Sequence, residues 1–153
     1  MFDMNMLYEN YIYRKLKVLQ NDTKIPITKV RGQNRQPFWE TRGLRADIVI
    51  ETESDNFVID TKWKVLKSKT PSDDDLKQMF VYNLHYDSDL SILLYPKTSL
   101  DTNDKKPFRN FKFQDKNCQL AFTDLFDADG GSLDKRLGYR LYDELLKKEI
   151  ESI

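Results

Sequence analysis

The sequence predicts an α/β domain with a mixed central sheet flanked by helices. Three observations carry this. An amphipathic pattern opens the chain and another closes it. Short runs rich in Val, Ile, Leu and Phe lie between them. A capped polar helix interrupts those runs, and alternation of this kind is the mark of an α/β architecture. Residues 3–20 contain neither Gly nor Pro, and Leu7, Tyr8, Ile12, Leu16 and Leu19 recur at three- to four-residue spacing, which predicts the first helix. Residues 25–30 read as a short strand. Residues 31–43, with Gly32, Pro37 and Gly43, read as a loop. Leu44–Ile50 and Phe57–Trp63 read as two strands joined by the polar segment Glu51–Asn56 as a hairpin. Ser72 before Asp73, Asp74 and Asp75 is a helix start, a hydroxyl cap with acids in the first turn, and the helix should run to about residue 86. Ser91–Tyr95 reads as a buried strand stopped by Pro96, and residues 98–107 as a polar loop. Phe108–Phe113 and Cys118–Phe122 read as further strands. Leu133–Ile150 reads as a closing helix with Leu137, Leu141, Leu145 and Ile150 as its apolar stripe.

The 153 residues, without repeat or Gly/Ser linker, predict a single domain over 1–153. Hydrophobic residues at 39% and charged residues at 33% give the balance of a folded chain and not of a disordered one. No apolar run approaches the roughly 20 residues of a membrane span, and the start has no secretory pattern. One cysteine, Cys118, excludes a disulfide framework. One histidine, His85, excludes His-rich metal sites; it reads as a surface or half-buried helix residue. The expected setting is reducing and cytoplasmic, with no membrane. Net charge is zero, yet Lys24–Arg45 holds six basic residues against Glu40, and Lys62–Lys69 holds four lysines and no acid. Phosphate binding needs only such local positive potential.

Side-chain parity makes the hairpin chemically informative. Successive strand residues point to opposite faces. Leu44, Ala46, Ile48 and Ile50 should share one face, matched to Phe57, Ile59 and Trp63. That register sets Ile48 near Ile59, Ile50 near Phe57, and Asp47 opposite Asp60, with Lys62 one step along the same face. Two close carboxylates repel unless a cation lies between them. Oxygen ligands without His or Cys suit Mg²⁺, for which Mn²⁺ can substitute. With an adjacent lysine, such a site fits phosphodiester hydrolysis. The other reading of the same geometry is a pair of ordinary acids at a sheet end, paired with Arg45 and Lys62.

Asp47, followed thirteen residues later by Asp60-Thr61-Lys62 on a hairpin, resembles the D…(D/E)xK core of the PD-(D/E)xK nucleases. Ile59-Asp60-Thr61-Lys62-Trp63-Lys64, the stretch Asp75–Tyr82 with Tyr86, the N-terminal Leu7–Ile12 and the later Leu93-Leu94-Tyr95-Pro96 look like the McrC family, the nuclease subunit of McrBC-type restriction systems. The resemblance covers nearly the whole chain, as that family's C-terminal nuclease domain, without its N-terminal partner-binding region. It implies a restriction-endonuclease-like core and a Mg²⁺-dependent endonuclease in modification-dependent restriction. It also implies double-stranded DNA as substrate and a McrB-like AAA+ GTPase as partner, and it leaves room for a homodimer. The chain itself has no GxxxxGK[ST] motif for a nucleotide motor. By this resemblance Asp47 and Asp60 bind metal, Lys62 serves the attacking water, and Glu9 on the first helix adds a metal or water contact. Gln78 and Tyr82, four apart on one helix face, would orient Lys62 or touch DNA. Lys64, Arg42 and Arg45 are the remaining candidates for DNA contact. Tyr86, Trp63, Phe57 and Ile59 read as core. Two other functions fit the same residues: a repair or resolvase nuclease of this fold, and a non-catalytic assembly domain.

Overall fold

The computed structural model describes residues 3–64, 71–97, 116–126 and 130–151. Helix α1 (Met4–Lys17) is capped by Asp3, whose Oδ1 accepts hydrogen bonds from the Asn5 and Met6 amides at 3.0 and 3.2 Å, and it tightens into a 3₁₀ turn, Val18–Asn21. Strands β1 (Lys29–Trp39), β2 (Arg42–Glu51) and β3 (Asn56–Thr61) follow. Helix α2 (Asp73–His85) starts at Ser72, whose hydroxyl accepts from the Asp75 amide at 3.1 Å, and Asp73, Asp74 and Asp75 face the positive end of the helix dipole. Strands β4 (Ser88–Pro96) and β5 (Asn117–Thr123) complete a sheet of order β1-β2-β3-β4-β5 among the described residues. The first three strands are antiparallel, and β3, β4 and β5 are parallel. The chain closes through α3 (Leu137–Leu141), a π-helical turn (Tyr142–Leu146) and α4 (Lys147–Glu151).

Helices cover both faces of the sheet. Tyr8, Ile12 and Leu16 of α1 pack with Leu137 and Leu141 of α3 over Ile48, Ile50, Phe57, Ile59, Ile92 and Leu94. On the other face Met79 and Tyr82 of α2 pack over Val49, Val58, Leu93 and Tyr95. Full burial of each aliphatic side chain contributes about 1.5–3 kcal/mol, so these two layers anchor the sheet between them.

The structure departs from the sequence reading at several points. Residues 31–43 are not a loop. They form most of the β1–β2 hairpin, with Pro37 tolerated because β1 is an edge strand. Only Lys29 and Val30 of the 25–30 segment are strand. Leu7 is exposed, because the buried stripe of α1 runs Tyr8, Ile12, Leu16 at four-residue steps. Trp63 is 36% exposed and leans on the Tyr8 ring at 5.3 Å instead of entering the core. Ala46 packs on the α2 side with Val49, not with Ile48 and Ile50. The β1–β2 ladder skips Gln33 and Asp47, and Gln33 takes a left-handed φ of 48°, so alternation slips at that point. The closing helix begins at Leu137; Leu133 bridges to Phe126 instead. The expected loop 98–107 and strand Phe108–Phe113 lie outside the described residues, as do Lys67 and Lys69. Among the described residues no helix is long and apolar enough to cross a membrane.

Candidate active site

The β2–β3 ladder runs from Glu51↔Asn56 to Ile48↔Ile59, the register that parity required. Asp47 and Asp60 are the next residues along it, where the two strands part. There the Asp47 side chain replaces the ladder: its Oδ2 accepts from the Thr61 amide at 2.9 Å and from the Thr61 hydroxyl at 3.0 Å. These bonds fix the Asp47 carboxylate in place while leaving it half-buried. On the far side, the Lys62 amide donates to the Leu94 carbonyl at 3.0 Å, so β3 stays docked on β4 up to the lysine. The lysine therefore leaves a rigid strand end, not a loose loop.

Asp60 is 4% exposed. Burial and then the neighbouring Asp47 charge raise its pKa far above the ordinary carboxylate range, and Lys62 only partly offsets them. Lys62 Nζ lies 2.9 Å from Asp60 Oδ2 and 3.4 Å from Asp75 Oδ1. Burial works against the lysine's charge, but Asp60 and Asp75 outweigh it, so the pKa of Lys62 is raised and the side chain is cationic. Asp75 Oδ2 also holds Lys64 at 3.0 Å. Burial would raise the pKa of Asp75, but the Lys64 and Lys62 ammonium groups outweigh that and lower it.

Glu9, from α1, reaches the same neighbourhood. It is buried, and its pKa is raised by that burial and by the Asp47 charge. Its Oε1 accepts no hydrogen bond, and its Oε2 lies 3.9 Å from Arg45 Nη2. Glu9 stands beside Asp47, yet among the described residues no three His, Cys, Asp or Glu side chains close into one ligand group. The donors present are carboxylate oxygens, two facing and one adjacent, with an unbonded buried oxygen among them. That set fits a hard divalent cation and not a soft one.

The remaining candidates divide. Gln78 Nε2 donates to the Tyr82 hydroxyl at 3.0 Å, while the Lys62 ammonium lies between Asp60 and Asp75. Tyr82 is 3% exposed, and its hydroxyl donates to the Arg45 carbonyl at 2.8 Å, so it braces β2 from below and has little surface to offer DNA. Lys64, Arg42 and Arg45 are exposed. Tyr86 is core, as expected, and its hydroxyl donates to the Asn34 carbonyl and accepts from the Ala46 amide. His85 is half-buried on α2, against the Phe38 ring at 6.1 Å. Sequence reasoning missed two residues. Asp75 reads as a dipole-favouring acid in a first helical turn, and that role hid its hold on both lysines. Thr61, the middle of the Asp-Thr-Lys run, carries no signal of its bond to Asp47.

Comparison with known proteins bears on the family and the fold. The family model described as the McrBC 5-methylcytosine restriction system component matches residues 1–96. Among solved structures, one described as a refined half-complex from a tetradecameric assembly of Thermococcus gammatolerans McrB AAA+ hexamers with bound McrC matches at a TM-score of 0.65 and 20% identity. The match covers 94% of this chain and 34% of that one, so the chain spans about a third of that protein's length. At that identity the likeness shows a shared fold, the mixed sheet with flanking helices of a restriction-endonuclease-like domain. No curated protein matches. The family match takes in α1 with Glu9, both acidic strands, Lys62 and Asp75, and on it the chain belongs to the family of McrBC 5-methylcytosine restriction system components.

Proposed function

We propose that this domain is a metal-dependent DNA endonuclease, the cleavage module of a McrBC-type system acting with a McrB-like AAA+ GTPase. One observation carries the reading. Asp47 and Asp60 meet where β2 and β3 part, with the Lys62 ammonium 2.9 Å from Asp60. Structural carboxylates are seldom driven together at a buried strand end, because each raises the cost of ionising the other. Family membership and the likeness to an McrB–McrC assembly support the choice of system and partner.

Asp47, Asp60 and, next to Asp47, Glu9 would hold Mg²⁺ or Mn²⁺. When bound, such an ion polarises a phosphate oxygen and lowers the pKa of a coordinated water. The chain's own part is positional. Thr61 holds the Asp47 carboxylate, and Asp75 holds Lys62 as a cation beside Asp60. That ammonium can orient the attacking water and meet the negative charge that grows on the phosphate during in-line displacement. Lys64, Arg42 and Arg45 supply positive charge for the duplex backbone.

The test is cleavage of supercoiled plasmid carrying 5-methylcytosine by the chain with its GTPase partner, GTP and Mg²⁺. Asp60→Asn and Lys62→Ala should each lower the rate by roughly 10²–10⁴-fold at unchanged fold, since each removes a group that acts in the transition state. Mn²⁺ binding, followed calorimetrically, should vanish in Asp60→Asn and persist in Lys62→Ala. Wild-type cleavage that survives Asp60→Asn would sink the reading.

A further inference from the structure

The β1–β2 hairpin does more than supply Asp47. β3 pairs with β2 only from Ile48 to Glu51, so Arg42–Ala46 and the facing Asn34–Trp39 reach beyond the third strand. At about 3.4 Å per residue the free arm extends roughly 17 Å past the two carboxylates. Its inner side leans on α2: Tyr82 bonds the Arg45 carbonyl, and Tyr86 bonds both Asn34 and Ala46. The arm is therefore braced, not floppy.

On this arm Arg35 and Arg45 are direct cross-strand partners, and both are exposed. Like charges directly opposed across a ladder destabilise the pair. No acid among the described residues offsets Arg35, and the acid nearest Arg45 is Glu9 at 3.9 Å, beside Asp47. The two side chains also have separate seats. Arg45 leans toward Glu9. Arg35 lies over Gly43, where a Cβ would come within 2.6 Å of its Nε. A glycine at that strand position weakens the ladder, yet it makes the room that Arg35 occupies. A locally unfavourable arrangement that the surroundings maintain is where a ligand's charge is to be sought.

We infer that Arg45 and Arg35 form a track for successive DNA backbone phosphates, leading from the carboxylate centre out along the β1–β2 arm. Guanidinium groups bind phosphate oxygens in bidentate fashion, and an anion lying along a paired row of them relieves their mutual repulsion. Arg45 sits two residues from Asp47, about 7 Å along the strand, so a backbone held on the track passes the carboxylates. Such contacts position the strand and carry no base information, which fits a subunit whose site recognition comes from a partner. The inference rests on the nuclease reading for its substrate.

The experiment measures binding of a fluorescein-labelled duplex to the full chain in EDTA, by anisotropy, across a series of salt concentrations. Arg35→Ala and Arg45→Ala should each weaken binding roughly tenfold or more, as loss of a charged hydrogen bond does. Each should reduce the slope of log K against log salt by about 1, equally on unrelated duplexes. Gly43→Ala, which removes no charge but displaces Arg35, should weaken binding in the same direction. Arg35→Ala should leave the melting temperature unchanged or higher, because the like-charge pair is gone. Affinity and salt slope unchanged in both arginine variants, with wild-type cleavage intact, would overturn the track and leave the nuclease reading standing. Arginine-dependent binding by a chain that never cleaves, even with its partner, would do the reverse. A wild-type chain that does not bind duplex DNA overturns both.

Discussion

Asp60 sets the residue-scale energetics, because it holds a carboxyl group where the fold disfavours its charge. Its pKa is pushed up to about 7 by burial and by Asp47, against roughly 3.9 in an unfolded chain. The raised value means that the folded state binds the proton more tightly. Asp60 therefore favours folding in full below about pH 4, and that contribution is lost as pH rises through about 7. The raised pKa of Lys62 acts only at far higher pH and does not enter this window. Without divalent metal, the melting temperature should fall between pH 5 and pH 8, and Asp60→Asn should flatten that dependence. At pH 8 the variant should melt a few degrees higher than wild type, since about 1 kcal/mol moves a domain of this size by roughly 2–4 °C. Mn²⁺ should raise the wild-type melting temperature at pH 8 and lose its effect toward pH 5, where the proton competes for the same oxygen atoms. A melting profile identical in wild type and Asp60→Asn would show that the carboxyl is not held in a charge-averse place.

At the scale of elements, the β1–β2 arm depends on α2 rather than on a third strand. Tyr86 joins its two strands from beneath, through the Asn34 carbonyl and the Ala46 amide. Tyr86→Phe keeps the ring and its edge contact with Tyr82 at 5.9 Å but leaves both backbone groups without that partner. The expected cost is about 1–3 kcal/mol, and it should appear as faster amide exchange across residues 34–46 with little change in the α1 side of the core. Uniform loss of protection throughout the chain would contradict a local brace. The arm also shows where legibility stopped. Parity gave the β2–β3 register correctly, because alternating Ile, Val and Phe over a buried face permit one pairing. The same argument failed at Ala46, since nothing in the sequence marks the ladder break at Gln33 and Asp47. Gly32, Pro37 and Gly43 read as loop punctuation. At an edge strand, Pro37 costs no ladder bond inward, and Gly43 serves a side chain across the strand, so both are compatible with pairing.

For the whole molecule, the site draws on both faces of the sheet: Glu9 comes from α1, Asp75 from α2, and the acids from the strands between. The strand acids and Lys62 were readable because they lie close together in sequence. Asp75 and Arg35 were not, because only the crossover to α2 and the hairpin fold bring them near. The placement of Glu9 depends in turn on how α1 is seated, and α1 is seated against α3 at Gly138. A Cβ at Gly138 would collide with the Lys15 carbonyl of α1, and that carbonyl is backbone that cannot swing aside. Gly138→Ala must therefore push α3 away from α1, opening the layer that holds Ile12, Leu16, Leu137 and Leu141. Overpacking of this kind costs about 1–3 kcal/mol or more, which predicts a fall in melting temperature of roughly 5–10 °C. Gly131→Ala is the control, because nothing lies within 4 Å of a Cβ there, and it should shift melting by no more than about 2 °C. If the two core layers form one cooperative unit, the Gly138→Ala transition should stay single and coincide by near-ultraviolet and far-ultraviolet circular dichroism. A split transition would mean that the α1 layer melts apart from the α2 layer, and Glu9 would then leave the site while Asp60, Lys62 and Asp75 remained in place.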